Sequence, residues 1–210
     1  RRPEGVAWEP NVVASRIIAW LSHSPVILQG ADAPVYRRFM KSLGLQARYL
    51  EMVAEDVEEG EARLKVRIAL AMVSIAMASS PAAVKRASRR LDSELESQIL
   101  PDGGHVSRNP RAGLNLLLDL LPLRQTYINL GHDVPQKLIA AIDRMYPALR
   151  FFRHQDGDLA LFNGATSTLA NELMSVLRYD ETGGEPFRAL PHTHYQRLSS
   201  IGWPGSWPGR

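Results

Sequence analysis

Two stretches hold most of the side chains able to do chemistry together. "QILPDGGHVSRNP", Gln98 to Pro110, carries Asp102, His105, Ser107, Arg108 and Asn109, and "HQDGDLALFNGAT" carries His154, Asp156, Asp158 and Asn163. His and Arg near one another suit an acidic ligand, because a guanidinium can clamp a carboxylate or sulfate through two donors. The candidates for a substrate cleft are therefore His105, Arg108, Asn109, His154 and Asn163. Plainer roles stay open for some of them: Asn109 as the cap of the next helix, His154 with Asp156 as a surface pair. No two histidines stand at helical ligand spacing and no compact Asp/Glu/His set occurs, so no metal is expected. A long-range site including His192 and His194 stays open. "GGH" lacks the Gly-Lys-Ser/Thr of a phosphate loop and there is no Gly-x-Ser-x-Gly elbow, so no cofactor is implied.

The whole chain constrains what these loops can belong to. Its 210 residues can bury one large core, and 45% hydrophobic content is ordinary for a globular protein. Net charge is +3 and the pI is 9.4, from a small Arg excess over nearly balanced acids. With no basic block and no interleaved aromatic stripe, nucleic acid is not expected as a partner. The absence of cysteine excludes a disulfide framework, a thiolate zinc site and a cysteine nucleophile. It leaves the compartment open, periplasm and cytoplasm alike. The longest apolar run, "IALAMVSIAMA", falls short of the ~20 residues of a membrane span. The chain opens "RRPEGVAW" without Met, and the expectation is that it belongs to something longer.

The elements that must position the loops are helices. Asn11 to Leu21 places Val12, Ile17, Trp20 and Leu21 on one apolar face. Asp32 can cap a helix through Tyr36 and Phe39 to Val57, with an interruption expected at Gly44. Glu61 to Ser79 is apolar nearly all round toward its end, as a buried inner helix would be. It should bury Ile68, Leu70, Met72, Val73 and Ile75. Ser80-Pro81 and Asn109-Pro110 each read as cap and first helical position. Pro122 is expected to kink the second of these helices. Asp133 and Pro135 open another, and Thr166 or Ser167 the last. Arg86, Arg89 and Arg90, followed by Asp92, Glu94 and Glu96, read as a solvated face with local ion pairs. The fold class is all-α, built of sequential antiparallel hairpins, with a short β-like hairpin near 151–163.

Asp102 and Asp156 stand 54 residues apart, about the length of a helix pair with its connections. Both stretches give Asp-Gly after a helix, then a short extended piece, then a polar cap. Repeating helix pairs stack so that like loops gather on one rim. Turn chemistry alone would also account for the two Asp-Gly pairs.

The order "WEPNVVASRIIAWL", "ELESQILPDGGHVSRNP", "LLLDLLPLRQTY", "AIDRMYPALRFFRHQDGDLALFNG" and "HYQRL" resembles the bacterial branch of the heparinase II/III-like family. The resemblance covers Trp8 to about Leu198. It implies an incomplete α/α toroid over residues 8–190 followed by a β-sandwich. "HYQRL", within 191–198, resembles the entry to that second domain, and 199–210 reads as an irregular tail. The resemblance further implies polysaccharide-lyase chemistry on an acidic, uronate-containing glycan. Such chemistry needs the uronate carboxylate neutralised, the C5 proton removed by a base and the C4 oxygen protonated. Where the family carries its Tyr-His, this chain has Arg111, Ala112 and Gly113. Where the family carries an Asn-His pair, it has Glu61 and Ala62.

Three readings follow: the helical domain of a polysaccharide lyase, inactive as this piece; a non-catalytic glycan- or envelope-related binding protein; and a helical scaffold. Glycan binding predicts an aromatic platform, and the helical spacing of Trp8 and Trp20 assigns them to the core instead. A buried ion pair on Arg108 would mark the first loop as structural.

Overall fold

The computed structural model describes residues 4–180, and the expectations for His192, His194, "HYQRL" and the tail lie outside them. After a 3-10 turn at Val6–Trp8 come eight helices among the described residues: α1 Pro10–Ser22, α2 Ser24–Ile27, α3 Ala33–Val53, α4 Glu61–Ala76, α5 Pro81–Gln98, α6 Pro110–Asn129, α7 Gln136–Phe151 and α8 Ala170–Leu177. α1, α4 and α6 form one row and α3, α5 and α7 a second row packed on it, with α8 against α6. Consecutive helices α4–α5 and α6–α7 pack directly on each other, as do α1 and α3, and the polar loops join one such pair to the next.

The caps read from sequence are in place at three helices. Asp32 accepts from Val35 N–H at 2.8 Å, Ser80 from Ala83 N–H at 3.3 Å, and Asn109 from Arg111 and Ala112 N–H at 2.8 and 3.3 Å. Each satisfies backbone donors that the first helical turn cannot. α4 is the buried inner helix: Ile68, Met72, Val73 and Ile75 are buried, and Leu70 is partly buried against the core. Trp8 packs edge-on against Tyr49, with centroids 5.2 Å apart, and Trp20 stacks on Phe39 at 5.4 Å, so both serve packing.

The structure corrects several local readings. α3 runs through Gly44 without a break, ends at Val53, and brings Gly44 against Met77. A single helical Gly costs only ~1 kcal/mol, which packing offsets. Pro122 lies inside the single helix α6. α1 buries Val13, Ala14, Ile17 and Ile18, a face rotated from the one expected, because it packs on α3, α4 and α6 together. α8 begins at Ala170, so neither Thr166 nor Ser167 caps it. The acids of α5 pair with other helices: Glu94 lies 3.8 Å from Arg63 and Glu96 2.7 Å from Lys137, while Arg90 lies 3.3 Å from Glu55. Near 151–163 the expected hairpin is a turn closed by one antiparallel bridge, Arg153 to Leu159.

Candidate functional site

The two polar loops repeat one another bond for bond. In the first, Ile99 bridges His105; in the second, Arg153 bridges Leu159. The amides of Leu100 and His154 donate to the carbonyls of Gly104 and Asp158 at 3.0 and 2.8 Å. Those of Gly103 and Gly157 donate back to Leu100 and His154, and those of Val106 and Ala160 reach Gln98 and Phe152 at 2.8 Å. Asp102 and Asp156 each accept from the amide two residues on at 3.0 Å. Gly103 and Gly157 supply the left-handed turn at φ 80° and 93°. Every correspondence holds at a spacing of 54 residues. Asp-Gly is therefore turn chemistry, and the turn is part of a repeated helix-pair unit.

The loops also meet. Asn163 Nδ2 donates to the Arg108 carbonyl at 3.2 Å, and Arg111 reaches Ser167 O at 3.5 Å and Glu172 at 2.8 Å. They share one rim, as stacked hairpins require. What differs between them is burial. Asp102 is fully buried as a side chain and binds Arg108 Nη1 at 2.7 Å, whereas Asp156 is exposed. Arg108 itself has φ 57°, a strained backbone for a residue with a Cβ.

His105 is 5% exposed. Its Nε2 lies 3.1 Å from Gln98 Oε1, while Gln98 Nε2 donates to Glu94 at 2.7 Å. With the amide oriented by Glu94, Nε2 must be the protonated nitrogen and Nδ1 the acceptor. Nδ1 accordingly receives the Ser107 hydroxyl at 2.7 Å and the Ser107 amide at 3.2 Å. Burial pushes the His105 pKa below its ordinary value. The first loop thus turns its acid, base and cation inward. Asn109 is a cap, while His154 and Asn163 are exposed on the second loop. Asp158 is held below the usual carboxylate range by the amides of Leu159 and Thr168.

A second set of polar residues, of which the sequence reading named only Glu61 and Arg111, runs along α4, α6 and α8. Lys65 pairs with Asp119 at 3.3 Å, Asn115 donates to Glu61 at 3.0 Å, and Arg111 donates to Asn115 at 3.1 Å and pairs with Glu172 at 2.8 Å. Burial raises the Asp119 pKa, and Lys65 opposes that shift. Their spacing was the available signal: Glu61 and Lys65 are four apart, as are Arg111, Asn115 and Asp119. Glu61 and Arg111 are joined here through Asn115.

The fold has a close counterpart among solved structures, the crystal structure of heparinase III. The TM-score is 0.63 at 17% identity, over 83% of this chain and 29% of that one. The fold is an incomplete α/α toroid. Over 194 residues, 91% of this chain, the sequence is 29% identical to FtsZ-localized protein C of Caulobacter vibrioides (strain NA1000 / CB15N), and spans 33% of that protein's length. No family model matches the chain. The helical domain is therefore polysaccharide-lyase-like in fold. Among the described residues no helix is long and apolar enough to cross a membrane.

Proposed function

We propose that this chain is a non-catalytic, polysaccharide-lyase-like helical domain of a cell-envelope protein that works where FtsZ assembles. One observation carries the reading. Glu61 and Arg111, where the resemblance to the heparinase II/III-like family would put the carboxylate-neutralising and proton-transferring groups, are bound to each other through Asn115. A carboxylate at that place repels a uronate, and an arginine tied to Asn115 and Glu172 is no proton acceptor. His105 and Arg108 offer no substitute, since both are engaged within their own loop. The division-site role rests on the likeness to FtsZ-localized protein C. Exposed His154 and Asn163 are the rim residues left to touch a partner, an acidic glycan among them.

The test has two arms on the longer protein containing this chain. Incubated with heparan sulfate or alginate, it should release no unsaturated uronate, read as ultraviolet absorbance. Fused to a fluorescent protein, it should gather with FtsZ at the division plane and disperse when FtsZ is depleted. Product that disappears on heating the protein would restore the lyase reading. Uniform distribution would remove the division role.

A further inference from the structure

A cavity of about 230 Å³ lies between α3, α4 and α5, away from both polar loops. Arg67, Arg86, Arg90, Glu51, Ser74 and Ser79 are among the residues that line it. Arg67 belongs to α4, flanked by fully buried Val66 and Ile68, and its side chain is 5% exposed. Nη2 binds Glu55 at 2.8 Å, yet Nε and Nη1 are buried with no hydrogen-bond partner. An ionised group that far from water is costly unless its donors are satisfied. An aliphatic residue would suit that stretch of α4 better on packing grounds alone.

The surrounding charges do not complete it. Glu55 is divided between Arg67 and Arg90, at 2.8 and 3.3 Å, so one carboxylate serves two guanidiniums. The hydrogen bond from Arg67 holds the Glu55 carboxyl below its usual range, keeping it ionised. Arg86, exposed on α5 one turn before Arg90, has no ion-pair partner among the described residues. Glu51 on the wall leaves the group of three arginines and two glutamates with one net positive charge.

We propose that this cavity binds a phosphate-class oxyanion, with Arg67 at its inner end and Arg86 and Arg90 at its opening. A tetrahedral oxyanion accepts from several guanidiniums at once, and planar donor forks suit it. The volume is below the roughly 300–1,000 Å³ of pockets that enclose drug-sized ligands. It admits inorganic phosphate or the phosphate end of a larger molecule.

The experiment titrates the full chain with inorganic phosphate by calorimetry, against chloride at matched ionic strength. In parallel the chain is pelleted with vesicles of phosphatidic acid or of phosphatidylcholine. Phosphate should give saturable heat, and Arg86→Ala, at an exposed and unpaired position, should weaken it about ten- to a hundredfold. Arg67→Lys, which keeps the charge and removes the planar fork, should weaken it as well. Binding to phosphatidic acid that Arg86→Ala abolishes would identify a lipid headgroup as the source; heat with phosphate alone would identify a free anion. Absence of saturable binding to either probe would overturn the proposal, as would binding that chloride reproduces or that Arg86→Ala leaves intact.

Discussion

Arg108→Ala separates a ligand-binding loop from a structural one. The Asp102 carboxylate is fully buried and would keep only the Gly104 amide at 3.0 Å after Arg108 is removed. Removing one partner of a buried ion pair costs about 3–5 kcal/mol, since the remaining charge stays desolvated. Arg108 is 14% exposed, so some water reaches the pair and the lower end, about 3 kcal/mol, is expected. For a domain of this size that lowers Tm by about 6–12 °C. The second loop is the internal control. Asp156 makes the same turn bond at 3.0 Å but is exposed, so Asp156→Ala should cost only about 0.5–1.5 kcal/mol. Urea unfolding followed by circular dichroism measures both. The double variant Asp102→Ala/Arg108→Ala should be less destabilised than the sum of its singles, because neither charge is left alone. If Arg108→Ala matches Asp156→Ala in cost, the ion pair is solvent-screened and the structural reading of Arg108 fails.

Two further outcomes follow from the same loops. Gly103→Ala would put a Cβ into the Arg144 carbonyl of α7 at φ 80°, whereas Gly157→Ala meets nothing nearer than Arg153 Nη2 at 3.9 Å. Expression and unfolding should therefore show Gly103→Ala failing to fold or losing about 3 kcal/mol or more, and Gly157→Ala losing about 1–2 kcal/mol for its positive φ. A similar cost at both glycines would mean that α7 does not lie against the first loop. His105 supplies a pH dependence: burial lowers its folded pKa, so the unfolded chain takes the proton first as pH falls. Its contribution is present above about pH 6.5 and is lost as pH drops through the folded value. Asp92 and Asp119, raised by burial, act with the opposite sign, their contribution greatest at low pH. The measurement is thus the urea midpoint of wild type against His105→Asn between pH 7.5 and 5.5. Wild type should fall more steeply, and parallel curves would show that His105 is not held neutral.

The local grammar of the chain was legible without coordinates. Asp32, Ser80 and Asn109 start helices because a short side-chain acceptor with Pro in the first turn after it suits a helix N-terminus. The apolar character of Ile68 to Ile75 requires burial, and the 54-residue echo requires stacked hairpins whose loops share a rim. These are short-range rules, and the toroid follows once helix pairs repeat. The tertiary structure decided what the rim residues do. His105 and Arg108 read as exposed cleft residues because composition cannot tell a polar side chain facing solvent from one facing Asp102 or Gln98. Arg67 sat unremarked in an apolar helix until α3 and α5 closed over it. Asp102 and Asp156 state the limit most plainly, sharing one turn, one bond and one spacing while only the first is buried. Burial depends on how the neighbouring helix pair packs, and no stretch of either loop encodes that.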